Sequence, residues 1–182
     1  MVYLKDIAEI RSGIYLNTSP GGEIAYLQMK DLTVDFPEKV ASRVEYSPRV
    51  DKNLLKKGDL LFAGKGTTYL CTVFDLDIQA VASTTLYVIS LRNDKILPEF
   101  LCWYLNLPTI ADAIMASQIG SSTPLIHKST LENIKIPFPD KKRQKLVVEI
   151  SKFQKRETDL LNTIAQKRTI IVNQLLINEI NK

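Results

Sequence analysis

Histidine is almost missing from this chain of 182 residues, where His127 stands alone. One imidazole excludes a His-rich metal site, and any nucleophile–base pair would depend on that single residue. Cysteine is nearly as scarce, with only Cys71 and Cys102. Their separation has no zinc-binding spacing. Both lie in apolar surroundings, which favours buried reduced thiols over the rival disulfide. The 7 glycines form no dinucleotide loop, because Gly64 and Gly66 lack the third glycine. Residues 58–66 (GDLLFAGKG) superficially look like a phosphate-binding loop. Five residues separate Gly58 and Gly64 where that loop has four, and Gly66 replaces the hydroxyl that would hold magnesium. No Gly-x-Ser-x-Gly elbow occurs. Asp75 and Asp77 fit a polar turn better than a nuclease site. No apolar run reaches the ~18–20 residues of a membrane span, and the opening MVYLKD has no signal-peptide core. These absences argue against catalysis by this chain alone and for a cytoplasmic location.

What is present suits a globular domain with an appendage. The hydrophobic fraction is 45%, that of a folded protein rather than a disordered one. The net charge of +4 is unevenly spread. Residues 1–139 hold 14 Lys or Arg against 15 Asp or Glu, and residues 140–182 hold 10 against 5. Within the head, residues 39–65 carry seven basic side chains (Lys39, Arg43, Arg49, Lys52, Lys56, Lys57, Lys65) and three acids (Glu45, Asp51, Asp59). Such a patch either attracts phosphate by releasing counterions or is a solvated face.

Periodicity and breakers predict the elements. Leu4, Ile7, Ala8 and Ile10 predict a short helix over 4–10, closed by Gly13 as a left-handed cap. Residues 17–22 read as a turn, and 24–29 as a strand ending at the outward-reaching Lys30 and Asp31. Residues 37–53 look irregular, with Val40, Val44 and Val50 as strand pieces. Strands follow over 60–63, 69–74, 79–82 and 84–91, rich in β-branched and aromatic residues. A turn falls at 57–59, a tight loop at 64–66 and another turn at 75–78. Pro98 opens a helix to about residue 106, and Pro108 another to 116, with Ile110, Ala113 and Ile114 inward. In residues 120–139 (GSSTPLIHKSTLENIKIPFP) a polar turn, a helical turn and a strand fenced by Pro137 and Pro139 follow in order. The chain is thus an α+β protein.

From residue 140 the pattern changes to a basic amphipathic helix without Gly or Pro. Leu146, Ile150, Phe153, Leu160 or Leu161, Ile164, Ile171 and Leu175 recur at spacings of three to four, or twice that. A helix of about 40 residues extends ~60 Å and cannot bury its own stripe, so it needs a partner helix or must fold back on its own head. Glu157 and Arg168 interrupt the seam, so it is no tight leucine zipper. Asp140 is the N-cap. Lys141, Lys142, Arg143 and Lys145 oppose the helix dipole, at a cost of ~0.3–1 kcal/mol each. They suit contact with phosphate or an acidic partner, or form a solvated end.

Binding chemistry is better represented than catalysis. Lys65 sits between glycines, so the backbone can approach a ligand while the ammonium reaches a phosphate. Thr67, Thr68 and Tyr69 follow with hydroxyls suited to phosphate or base edges. Gln118, Ser121, Ser122 and Thr123 form a second polar cluster, and His127 with Lys128 a third. Each cluster could be an ordinary turn, but several on one small domain favour recognition.

Residues 4–13 (LKDIAEIRSG), 58–66, 82–85 (ASTT), 100–105 (FLCWYL), 120–139 and Gln144 together resemble the specificity subunit of type I restriction-modification enzymes, in a form with a single recognition unit. The resemblance covers nearly the whole chain. It implies a mixed, strand-rich target-recognition domain over 1–139. A long C-terminal α-helix over 140–182 would follow, pairing as an antiparallel coiled coil. Full-length members carry two such units; each head reads one half of a bipartite DNA site, and the helices set the distance between halves. Two copies of this chain could pair as a homodimer through Leu146, Ile150, Phe153, Leu161, Ile164, Ile171 and Leu175 and read an inverted repeat. Another half-subunit could take the second place. Lys30, Lys65 and Lys128 are candidates for phosphate, and Thr67, Thr68, Gln118, Ser122 and His127 for base edges or shape. The resemblance implies no cofactor on this chain. S-adenosylmethionine, ATP and Mg belong to the modification and restriction subunits.

Two other classes compete with this reading. One is a helical assembly adaptor whose head binds protein instead of DNA. The other is a self-sufficient nuclease or methyltransferase, against which the missing cofactor and metal motifs argue.

Overall fold

A computed structural model describes residues 1–33, 37–64, 69–116 and 126–181. Strand β1 (Val2–Tyr3) runs into helix α1 (Leu4–Ile7), strand β2 (Ala8–Ser12) and strand β3 (Ile24–Leu27). A 3-10 turn (Met29–Thr33), α2 (Pro37–Val40), β4 (Ser42–Val44) and α3 (Pro48–Asp51) come next. Strands β5 (Leu60–Ala63), β6 (Cys71–Val73), β7 (Ala80–Ala82) and β8 (Leu86–Leu91) precede α4 (Pro98–Leu105) and α5 (Pro108–Ala116). Helix α6 (Lys128–Glu132), β9 (Lys135–Ile136) and α7 (Lys141–Ile180) complete the chain. This is the expected α+β architecture with a long final helix. The chain divides into two compact units, Met1–Gln144 and Lys145–Lys182.

In the first unit, one antiparallel sheet has the order β2-β8-β5-β6. A second sheet, β4-β3-β7, mixes an antiparallel β3–β4 pair with a parallel β3–β7 pair. Strands β1 and β9 form a separate antiparallel pair, joining residues 2–3 to 135–136 across most of the unit. Gly13 connects the larger sheets by close approach: a Cβ there would lie 2.1 Å from the Ser83 carbonyl oxygen. Only hydrogen fits, and that is what the glycine supplies. Its backbone is not left-handed; among the described residues only Gly58, in the turn before β5, has a positive φ, of 89°.

The core packs on both faces of the β4-β3-β7 sheet. Leu27, Leu61, Phe74, Leu86 and Val88 share one buried cluster, and Ile24, Tyr26, Val44, Val50 and Val81 another. Helix α4 buries Phe100, Leu101 and Leu105. Its C-cap, Asn106, closes the open edge of β6: Cys71 N–H donates to Asn106 Oδ1 at 2.8 Å, and Asn106 Nδ2 donates to the Cys71 carbonyl at 2.7 Å. The side-chain amide thus does the work of a missing neighbour strand. Cys71 is buried, Cys102 only partly, and no disulfide joins them. Burial pushes the Cys71 thiol well above its ordinary pKa.

Three local expectations are corrected. The predicted 4–10 helix stops at Ile7, because residues 8–12 alternate between buried and exposed and pair with β8. Residues 37–53 are not irregular: Val40 and Val50 sit in single helical turns, and only Val44 is in a strand. The Ser47 hydroxyl caps α3 by accepting from Val50 N–H at 3.3 Å, with Pro48 behind it. In α5 Ile114 is buried but Ala113 is exposed.

The second unit consists of the remainder of α7. Apolar side chains at Leu146, Ile150, Phe153, Leu161, Ile164, Ile171 and Leu175 are each more than half exposed. None of the described helices is long and apolar enough to cross a membrane.

Candidate nucleic-acid interface

The sheet connection at Gly13 also builds a cleft of about 640 Å³. Its floor is the parallel register of β3 and β7, extended by a bridge between Ile14 and Ser83. Ser83 N–H donates to the Leu27 carbonyl at 2.8 Å, and Ile14 N–H to the Ala82 carbonyl at 2.9 Å. Tyr26 is buried, and its hydroxyl donates to the Ile14 carbonyl at 2.9 Å. The walls mix polar and apolar side chains: Tyr15, Leu16, Asn17 and Thr18 on one segment, Gln28, Met29 and Lys30 on the second, Thr84 and Thr85 on the third.

Two of the walls are held by hydrogen bonds beneath them. Asp31 is buried, and its carboxylate accepts from Gln28 N–H at 2.8 Å. That bond tightens the 3-10 turn and leaves Lys30 exposed. Asp31 was expected to reach outward; it turns inward as a cap. Ser83 Oγ and Thr85 Oγ1 lie 2.7 Å apart, which fixes the turn between β7 and β8 and leaves Thr84 exposed. The cleft therefore offers one ammonium, one exposed phenol, amides and hydroxyls on fixed backbone.

Beside it, three chain segments meet. Gly64 N–H donates to the Thr85 carbonyl at 3.0 Å, and Ile126 N–H donates to the Gly64 carbonyl at 3.0 Å. Tyr87 covers the crossing: its hydroxyl donates to the Ile126 carbonyl at 2.8 Å, and its ring lies where a Gly64 Cβ would fall, 2.5 Å away. His127 follows at once, exposed at the N-cap of α6, its side chain making no cap bond. Lys128 is partly neutralised by Glu132 at 3.5 Å. Tyr69 is half-buried next to Leu70, whose carbonyl accepts from Ala63 N–H at 2.8 Å. Thus Lys30 lies in the cleft, while Tyr69, His127 and Lys128 adjoin the neighbouring crossing. Lys65, Thr67, Thr68, Gln118, Ser121 and Ser122 lie outside the described residues.

Sequence reasoning missed Tyr15, Asn17, Thr18, Gln28 and Thr84 as lining residues. Asn17 and Thr18 carried a turn signal, and Thr84 lay in the ASTT motif. Nothing local showed that these three segments meet.

The basic stretch 39–65 is more occupied than its composition suggests. Arg43 donates to the Glu38 carbonyl at 2.9 Å and the Glu23 carbonyl at 3.3 Å. Lys57 lies 2.8 Å from Asp77 and 3.6 Å from Asp75. The Asp77 hydrogen bond and charge raise the Lys57 pKa. Two of the four cations that open α7 also have internal partners: Lys141 meets Asp94, and Arg143 meets Asp140 at 3.5 Å. Arg143 N–H donates to Asp140 Oδ1 at 2.9 Å, which makes Asp140 the cap its position predicts. Among the described residues no group of three His, Cys, Asp or Glu is placed to hold a metal ion.

A strand-rich head with a cleft, followed by an amphipathic helix, defines a recognition module. Residues 1–169 match the model of the type I restriction modification DNA specificity domain, and the chain belongs to that family. It is 26% identical over 178 residues to the type I restriction enzyme MjaIX specificity subunit of Methanocaldococcus jannaschii, covering 89% of this chain and 40% of that protein. The MjaVIII specificity subunit of the same organism is 25% identical over 197 residues, covering 99% of this chain and 46% of the relative. The chain thus spans less than half the length of these curated relatives. Two solved structures have the same fold. The S subunit of a type I restriction-modification system from M. genitalium gives a TM-score of 0.59 at 18% identity, covering 92% of this chain and 42% of that one. The HsdS subunit from Thermoanaerobacter tengcongensis gives 0.64 at 19% identity, covering 87% and 38%.

Proposed function

We propose that this chain is a DNA-reading specificity component of a type I restriction-modification system, recognising one half of a bipartite site and directing a methyltransferase and endonuclease to it. The observation that carries the reading is the family match, which spans the head and most of the long helix. The cleft supports a reading surface on the head. Lys30 supplies a phosphate contact, and Tyr15, Asn17, Thr18, Gln28 and Thr84 supply donors and acceptors for groove edges. Tyr69, His127 and Lys128 extend that surface. Lys65, Thr67, Thr68, Gln118, Ser121 and Ser122 are assigned to it on sequence grounds.

Residues 1–139 form the reading domain and 140–182 the spacer. The exposed stripe from Leu146 to Leu175 is covered by a second helix in antiparallel pairing, so two copies present two heads to an inverted repeat. Chemistry resides on partner subunits, which bring S-adenosylmethionine, ATP and Mg; this chain supplies the address. It acts in the cytoplasm.

Methylome sequencing of a host with and without the gene tests the assignment. Loss of a bipartite adenine-methylation motif is expected. An unchanged methylome despite an active modification partner contradicts it. Duplex binding that is weak and insensitive to salt would favour the protein-binding adaptor.

A further inference from the structure

Outside the cleft, two ammonium groups converge on one ring. Lys5 Nζ stands 5.1 Å, and Lys135 Nζ 5.8 Å, from the centroid of Tyr3, which is 39% exposed. The β1–β9 register, which pairs Tyr3 with Lys135, sets one of these neighbours. Helix α1, starting directly after Tyr3, sets the other. Both are anchored. Lys5 Nζ donates to Asn133 Oδ1 at 3.2 Å, and Asn133 Nδ2 donates to the Ser129 carbonyl at 2.8 Å. Tyr104 hydroxyl donates to the Lys135 carbonyl at 3.0 Å and fixes its backbone.

The cluster carries more positive than negative charge. An exposed cation–ring contact returns only ~0.5–1 kcal/mol, and two cations sharing a ring repel each other. One carboxylate adjoins the cluster, Asp6, which accepts from Tyr3 N–H at 3.2 Å, while Glu132 meets Lys128. Among the described residues neither Lys5 nor Lys135 forms an ion pair. Both side chains are exposed. Oriented, exposed positive charge in excess of carboxylate suits an extended polyanion, which needs neither an enclosing pocket nor a buried apolar centre. A protein partner would want that apolar centre.

We propose that Tyr3, Lys5 and Lys135 form a second grip for the phosphate backbone of double-stranded DNA, separate from the cleft that holds Lys30. The inference rests on the DNA-reading function above. It adds contacts that position the duplex and carry no sequence information.

The test is fluorescence anisotropy of the full chain with a labelled duplex of arbitrary sequence, titrated with NaCl. In the Lys5→Ala/Lys135→Ala variant the slope of log affinity against log salt should become shallower by about 1.8, two phosphates' worth. Affinity at low salt should fall on the order of tenfold, with the urea midpoint unchanged. Lys5→Arg/Lys135→Arg should keep the wild-type slope. A steep wild-type slope that the alanine pair leaves unaltered overturns this grip and spares the DNA reading. A flat wild-type slope sinks both. If the alanine pair loses binding only to polyglutamate, the surface belongs to an acidic protein and the proposal fails.

Discussion

Gln144 closes three backbone gaps with one amide. Leu97 N–H donates to its Oε1 at 2.8 Å, while its Nε2 donates to the carbonyls of Lys95 and Pro139, each at 2.9 Å. Leu97 is the N-cap of α4 and offers no side-chain cap of its own, and Gln144 is fully buried. Gln144→Ala would strand all three groups, at ~1–3 kcal/mol for each buried group left unpaired. A lower urea midpoint with an unchanged m-value is the expected result. A neighbouring ion pair makes a second prediction. The Lys141 hydrogen bond and charge hold the Asp94 carboxyl below its ordinary value of 3.8. Its contribution is complete above that value and is lost as pH falls through the lower folded pKa. Both side chains are exposed, so the effect is small and screened by salt. Asp94→Asn should flatten the acid limb of the urea midpoint against pH, most visibly at low ionic strength.

At the scale of elements, legibility followed the reach of the interaction. Helices α4 and α5 were readable from Pro98 and Pro108, and α7 from a run without Gly or Pro after Pro139. The β2 segment was not. Its apolar residues at 7, 8 and 10 fit a helical face or an alternating strand equally, and pairing with β8, some 80 residues on, decided between them. The cleft was legible in part for the same reason. Lys30 stood out as a cation at a strand end. Thr18, Gln28 and Thr84 are brought together by the parallel β3–β7 register, which no local signal carries. Residue 13 was legible as an obligatory glycine but for another reason: the approach of a carbonyl, not a left-handed turn. Helix α7 supports a prediction of its own. Phe153 and Ile164 lie on its exposed apolar stripe, so Phe153→Asp with Ile164→Asp should convert a sedimenting dimer to monomer while the head's thermal transition stays in place. Unaltered mass in the variant would place the seam elsewhere.

For the molecule as a whole, charge placement matters more than the net +4. Arg43 and Lys57 of the basic stretch engage internal carbonyls and carboxylates, while other ammonium groups of the head stand exposed and can meet a polyanion. Lys30 is one, and Lys30→Ala should weaken binding to cognate and unrelated duplexes alike and reduce the salt slope by about one unit. Replacing Asn17 or Gln28 by alanine should instead narrow the gap between cognate and unrelated duplexes and leave the slope alone. Competition binding at several salt concentrations separates these outcomes.

Every partner of the Gln144 amide is a main-chain atom. The attachment of the helix root is therefore blind to which side chains occupy positions 95, 97 and 139. Substitutions can accumulate there, and over the surface beyond, without loosening the joint. The same amide can hold the helix root beneath many different surfaces, because it reads only the chain's path.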